Sequence, residues 1–105
     1  MPDPDWRSRW KSPMDEHLLS KVRLSVIAEL LPAEWVTFAE LRKSIDVTNG
    51  NLGAHLGKLV EAGYVKQEKH FKARRPQSRY RLTKTGRAAL LRHVAALQAL
   101  LDPPK

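Results

Sequence analysis

From Asp15 onwards, apolar residues recur at three- and four-residue spacing. Leu18, Leu19, Val22, Val26, Ile27 and Leu30 outline an amphipathic first helix ending near Pro32. Thr37-Phe38-Ala39-Glu40 then has the spacing of a capping box, in which the hydroxyl caps the first turn and the glutamate reaches back to the cap amide. A short second helix is predicted from about Phe38 to Ile45, with Phe38, Leu41 and Ile45 facing inward, and Asp46 or Thr48 breaks it into a turn. The third helix starts at Thr48 or Asn49, carries Leu52, Leu56, Leu59 and Val60 on one face, and stops at Gly63.

The other face of this third helix holds Asn49, Asn51, His55 and Lys58, interspersed with Gly50, Gly53, Ala54 and Gly57. A glycine within a helix costs about 1 kcal/mol against alanine. Something other than helix stability therefore sets these positions, and short side chains let the backbone approach another surface closely.

After Gly63 the period changes to two. Tyr64–Lys69 is predicted as a strand and Ser78–Leu82 as its antiparallel return, joined by a basic loop, His70 to Gln77, that contains Lys72, Arg74, Arg75 and a turn-favouring Pro76. On the return strand Arg79 and Arg81 alternate with Tyr80 and Leu82, which puts the arginines on the solvent face. Thr83 caps a fourth helix from Lys84 to about Leu101, ended by Asp102-Pro103-Pro104. Leu90, Val94, Leu97 and Leu101 form one stripe on it, and Ala89, Leu91, Ala95, Ala96 and Leu100 widen that stripe beyond what a surface helix needs. One part of it covers its own domain, and the rest is expected to meet a partner.

A chain of 105 residues holds one domain. With no cysteine, disulfides, thiolate zinc sites and cysteine-based catalysis are excluded. No apolar run approaches the roughly 20 residues that span a bilayer, and Met1 to Trp6 lacks the order of a secretory signal, so a cytoplasmic, nucleoid-associated protein is expected. Residues 1–13, with three prolines and two tryptophans, read as an extended arm, with Trp6 and Trp10 docking on this domain or on a second subunit. The predicted division is arm 1–13, domain 14–101 with a terminal helix 84–101, and tail 102–105.

The net charge of +8 changes the picture through its placement. Between Lys66 and Arg87 lie nine basic residues against the single Glu68, so the whole excess belongs to one segment. Such a concentrated field suits a polyanion.

Helix, helix, turn, helix, strand, basic loop, strand, helix is the order of a winged helix-turn-helix: α+β and mostly helical, with a three-helix core, a two-stranded β wing and a long C-terminal helix. Specific runs carry a closer likeness: Phe38-Ala39-Glu40-Leu41, Thr48-Asn49-Gly50-Asn51-Leu52, His55-Leu56, Leu59-Val60-Glu61-Ala62-Gly63-Tyr64-Val65 and Tyr80-Arg81-Leu82-Thr83-Lys84-Thr85-Gly86-Arg87. Over roughly Asp15 to Leu101 the chain resembles the small winged-helix regulators related to MarR-like and ArsR-like repressors. The resemblance implies a homodimer on a pseudo-palindromic operator, joined through its terminal helices. Leu90, Leu91, Val94, Leu97, Leu100 and Leu101, with Trp6 and Trp10, are the candidate dimer residues.

The candidate DNA contacts follow by chemistry. Thr48, Asn49, Asn51 and His55 are placed for base edges or the flanking phosphate, because amides read adenine bidentately and a helix N-terminus favours phosphate. Lys58, and Lys69, Lys72, Arg74, Arg75 and Arg79 in the wing, are expected to neutralise phosphates, and Arg74 or Arg75 at the loop tip suits a minor groove. His17, His55, His70 and His93 show no metal-ligand spacing, so no metal or other cofactor is expected; His17 and His93 read as ordinary helix residues, and His55 and His70 as DNA-facing. Trp35 is expected in the core. No small-molecule effector is indicated, although Trp6, Trp10 or Trp35 could line a pocket for one between the arm and the terminal helices. The alternative is a winged-helix module that binds protein in a transcription or chromatin complex; double-stranded RNA suits the third helix poorly. No carboxylate pair, activated nucleophile or phosphate-cradling loop points to an enzyme.

Overall fold

The computed structural model describes residues 15–101. The expectations for the arm, including Trp6 and Trp10, and for the tail 102–105 lie outside the described residues.

The first apolar run is broken in two. Asp15 caps a single 3-10 turn, Glu16–Leu18, by accepting from the His17 amide at 2.9 Å. Ser20 then caps α1, Lys21–Leu30, by accepting from the Arg23 amide at 3.2 Å. The helix therefore starts six residues later than its apolar spacing predicts, because two side-chain caps compete with continuous helix there. Leu18, Val26, Ile27 and Leu30 are buried, as the periodicity requires, whereas Leu19 is exposed.

Thr37 caps α2, Phe38–Ser44, accepting from the Glu40 amide at 3.1 Å. The Glu40 carboxylate accepts from the Thr37 hydroxyl at 3.0 Å rather than from the cap amide, so the box closes side chain to side chain. Thr48 caps α3, Asn49–Glu61. The α3 terminus is a Schellman motif: the Tyr64 amide donates to the Leu59 carbonyl, the Gly63 amide donates to the Val60 carbonyl, and Gly63 sits at φ 81°. Leu52, Leu56 and Leu59 of α3 are at most 1% exposed and meet α1 and Leu41 in one core.

Three antiparallel strands form the sheet in the order β1-β3-β2. β1, Val36–Thr37, pairs Val36 with Tyr80 and Thr37 with Arg79, and this short third strand adds to the predicted two. β2, Val65–Lys72, and β3, Arg75–Leu82, make a longer hairpin than expected, and the predicted loop His70–Gln77 is mostly strand. The connection is the two residues Ala73 and Arg74, both left-handed at φ 52° and 67°. Pro76 lies within β3 opposite Phe71, not in the turn. Beside a two-residue turn the closing pair, Lys72 and Arg75, is the hydrogen-bonded one and the next pair is not, so a proline at position 76 removes no ladder bond.

Thr83 caps α4, Lys84–Ala99. Its hydroxyl donates to the Gly63 carbonyl at 2.6 Å and accepts from the Gly86 amide at 3.0 Å, while its own amide donates to the Tyr64 carbonyl. A Cβ at Gly86 would collide with that Tyr64 carbonyl and with Leu82, so this approach requires glycine. The buried face of α4 is Gly86, Ala89, Leu90, His93 and Ala96. Leu90, expected at the dimer interface, belongs instead to the domain core, and His93, expected as an ordinary helix residue, is buried there at 1% exposure with its Nδ1 accepting from the Asp15 amide at 3.2 Å. Among the described residues no helix is long and apolar enough to cross a membrane.

Candidate nucleic-acid interface

The leucines that bury one side of α3 leave Asn49, Gly50, Asn51, Gly53, Ala54, Gly57 and Lys58 exposed. A Cβ at Gly50, Gly53 or Gly57 would meet nothing within 4 Å, so packing within the domain does not require these glycines. The polar side chains on this helix are partly committed. The Thr48 hydroxyl accepts from the Asn51 amide at 3.1 Å, which keeps its proton free to donate. Asn49 accepts at Oδ1 from Arg42 Nε at 2.7 Å, a bridge from α2 that leaves the amide nitrogen as its outward donor.

His55 is half-buried, with its Nδ1 3.1 Å from an Arg23 guanidinium nitrogen of α1. A guanidinium can only donate, so Nδ1 accepts and the ring proton sits on Nε2. Burial, followed by the charges of Arg23 and Lys58, lowers the His55 pKa from its ordinary value and favours this neutral form. Arg23 is itself held by Nε donating to the His17 carbonyl at 2.6 Å.

Strand register sorts the wing into two faces. Lys66, Glu68, His70 and Lys72 stand opposite Arg81, Arg79, Gln77 and Arg75 on one face; Val65, Gln67, Lys69 and Phe71 stand opposite Leu82, Tyr80, Ser78 and Pro76 on the other. Two pairs of cations thus face each other directly, Lys66 with Arg81 and Lys72 with Arg75, a placement that destabilises an isolated sheet. Only Arg79 has a facing carboxylate: its guanidinium nitrogen is 2.5 Å from Glu68, and it stacks 4.3 Å from the centroid of Trp35. Arg81 lies over the same ring at 5.4 Å. Trp35 is therefore a half-exposed platform under the wing and not the expected core residue, because β1 carries it onto the outer face of the sheet.

Of the wing residues singled out from sequence, Lys72 and Arg75 share the charged face, Arg74 sits in the turn, Lys69 lies on the opposite face, and all four are exposed. Arg79 is half-buried and tied to Glu68 and Trp35. Lys66 and Arg81 join the charged face; strand alternation already puts Arg81 on the solvent side, but neither is among the expected DNA contacts, because only the register sets them side by side. Among the described residues no group of three or more histidines or carboxylates is placed to hold a metal ion. Beyond the wing, Leu91, Val94, Leu97, Leu100 and Leu101 leave an apolar strip exposed along the end of the chain, from 36% at Leu100 to 82% at Leu101.

Comparison with known proteins adds to this geometry. Residues 22–101 match the family model of a winged helix DNA-binding domain. An uncharacterized protein of Methanocaldococcus jannaschii is 33% identical over 75 residues, covering 71% of this chain and 82% of that protein. The structure of a transcriptional regulator homologue from Pyrococcus horikoshii OT3 superposes with a TM-score of 0.78 at 33% identity, covering 90% of this chain and 95% of the other. A mutant MarR from E. coli in complex with operator DNA superposes with a TM-score of 0.61 at 25% identity, covering 75% of this chain and 54% of that one. A MarR-family regulator from Enterococcus faecalis and an ArsR-family regulator share the fold at 24% and 19% identity.

Proposed function

The chain belongs to the winged helix DNA-binding domain family, and from that premise we propose that it is a sequence-specific repressor of transcription, with no chemistry of its own, acting as a homodimer in the cytoplasm on a pseudo-palindromic operator. The observation that carries this reading is the strand register that sets two cations opposite two others, Lys66 with Arg81 and Lys72 with Arg75, on one face of the wing. Facing cations cost stability in the free protein, and a polyanion offsets that cost.

In this reading α3 enters the major groove. Asn51 reads a base edge, Asn49 offers its remaining amide donor, and His55 offers the Nε2 proton that Arg23 fixes, which suits an acceptor such as a guanine or thymine oxygen. Thr48 and Lys58 hold phosphates flanking the helix. Lys69, Lys72, Arg74 and Arg75 neutralise phosphates, Arg74 or Arg75 reaches a minor groove, and Arg79 contributes by anchoring the wing on Trp35. The apolar strip from Leu91 on α4 to Leu101 just beyond its end is the dimer surface, which places two α3 helices on successive turns of one face of the duplex. The relative in complex with operator DNA supports the choice of partner.

The test is affinity for the upstream region of its own gene against a scrambled duplex, by fluorescence anisotropy at fixed salt. The expected result is tighter binding to the upstream region, with Asn51→Ala losing about tenfold of that preference. Equal affinity for both duplexes in wild type would overturn the sequence-specific reading.

A further inference from the structure

Phe71 is 77% exposed, close to the end of the hairpin, on the face whose root residues Val65 and Tyr80 are buried against the helices. Its cross-strand neighbour Pro76 is exposed as well, so an apolar pair stands where the sheet has passed beyond the body that covers its root. Four exposed cations flank it: Lys69 on the same face, Arg74 in the turn, and the adjoining Lys72 and Arg75, whose side chains leave from the opposite face of the sheet. An apolar protein surface laid over this pair would have to desolvate those cations without counter-charge. A second copy would bring the same cations against each other. A polyanion with an apolar interior satisfies both demands.

We propose that the Phe71–Pro76 pair is an apolar wedge that enters the minor groove of duplex DNA and opens a base step, while the surrounding cations hold the phosphates on either rim. This rests on the DNA-binding reading above and adds to it a deformation of the duplex. Phenylalanine and proline are among the side chains that unstack base steps from the minor groove and bend the helix away from it. The groove is about 6 Å wide, and two paired strands are already about 4.8 Å apart before their side chains are counted. The hairpin tip therefore fits only a groove that it has widened.

The experiment measures affinity of wild type, Phe71→Ala and the double variant Arg74→Ala/Arg75→Ala across a salt series, on a random-sequence duplex and on the upstream region of its own gene. Donor and acceptor dyes at the two duplex ends report the bend. The side chain at position 71 is exposed, so unchanged thermal melting of Phe71→Ala confirms that its fold is kept. The expected result is that Phe71→Ala binds about tenfold more weakly at every salt concentration, with the salt slope kept and the end-to-end distance relaxed towards that of free duplex. The double variant is expected to flatten the slope. Wild-type affinity and bend in Phe71→Ala, or a weakening that appears only as a changed slope, would overturn the wedge and leave DNA binding intact. Failure of wild type to bind either duplex at low salt would overturn the DNA-binding reading, and the wedge with it.

Discussion

Tyr64 shows how one side chain ties three elements together. It follows the Schellman turn of α3, donates its hydroxyl proton to the Asp15 carboxylate, and stands edge-on to His17 with ring centroids 5.5 Å apart. Burial first, and then the bond to Asp15, push its pKa up from 10.0 to about 12. The neutral phenol is therefore favoured in the folded chain, and the unfolded chain ionises first as pH rises. The stabilisation is complete below pH 10.0 and is lost as pH climbs towards about 12. Burial also raises the pKa of Tyr80, in the same sense, so the difference between proteins isolates Tyr64. Tyr64→Phe is expected to lower stability by about 1 kcal/mol at neutral pH and to weaken the alkaline loss, as read from urea midpoints between pH 9 and 11; parallel profiles would contradict the assignment.

At the scale of elements, the junction between α3, β2 and α4 is held by the Thr83 hydrogen bonds and by the close approach of Gly86 to Tyr64. Gly86→Ala forces its methyl group into the Tyr64 carbonyl and Leu82, and it is expected to cost about 2–3 kcal/mol in chemical denaturation. The same change at Gly57, where a Cβ meets nothing, is expected to be neutral or to stabilise α3 by up to about 1 kcal/mol.

Much of the element order was legible in the sequence, because it rests on local signals. Thr37, Thr48, Thr83 and Gly63 act as caps where their chemistry predicts, and Leu52, Leu56 and Leu59 are buried where their spacing predicts. The remainder depends on tertiary context. Ala73-Arg74 adopts a left-handed turn without the Asn-Gly signature that usually announces one, so local signals end the strands short of it. The Trp35 platform exists only because β1, a strand of two residues, pairs with β3. In the same way α4 turns so that Ala89, Leu90 and Ala96 meet the core while Leu91, Val94 and Leu97 do not, and the buried His93 accepts from the Asp15 amide, 78 positions away.

The whole molecule places its two unsatisfied surfaces apart in chemistry: a cationic wing next to an exposed α3, and an apolar strip on α4. A strip with Leu91 at 65% and Leu101 at 82% exposure is the kind of surface that association removes from water. Leu91→Glu/Leu97→Glu is expected to convert a dimer into a monomer in sedimentation equilibrium and to make thermal melting lower and independent of protein concentration. A wild-type protein that sediments as a monomer at all concentrations would rule out α4 as the dimer surface. Coupling then follows, because two wings on one duplex neutralise twice the phosphates of one, and the monomeric variant is expected to bind DNA with about half the salt slope.

The dependence of DNA affinity on salt, measured for wild type and for Arg74→Ala/Arg75→Ala, tests the account at its centre. Counterion release gives a slope of about −0.9 for each phosphate neutralised. Wild-type affinity is expected to fall steeply with salt, and the double variant to show a slope shallower by about two for each subunit bound. Binding that ignores salt, or a slope that the two substitutions leave unchanged, would contradict the assignment of the wing to the DNA backbone.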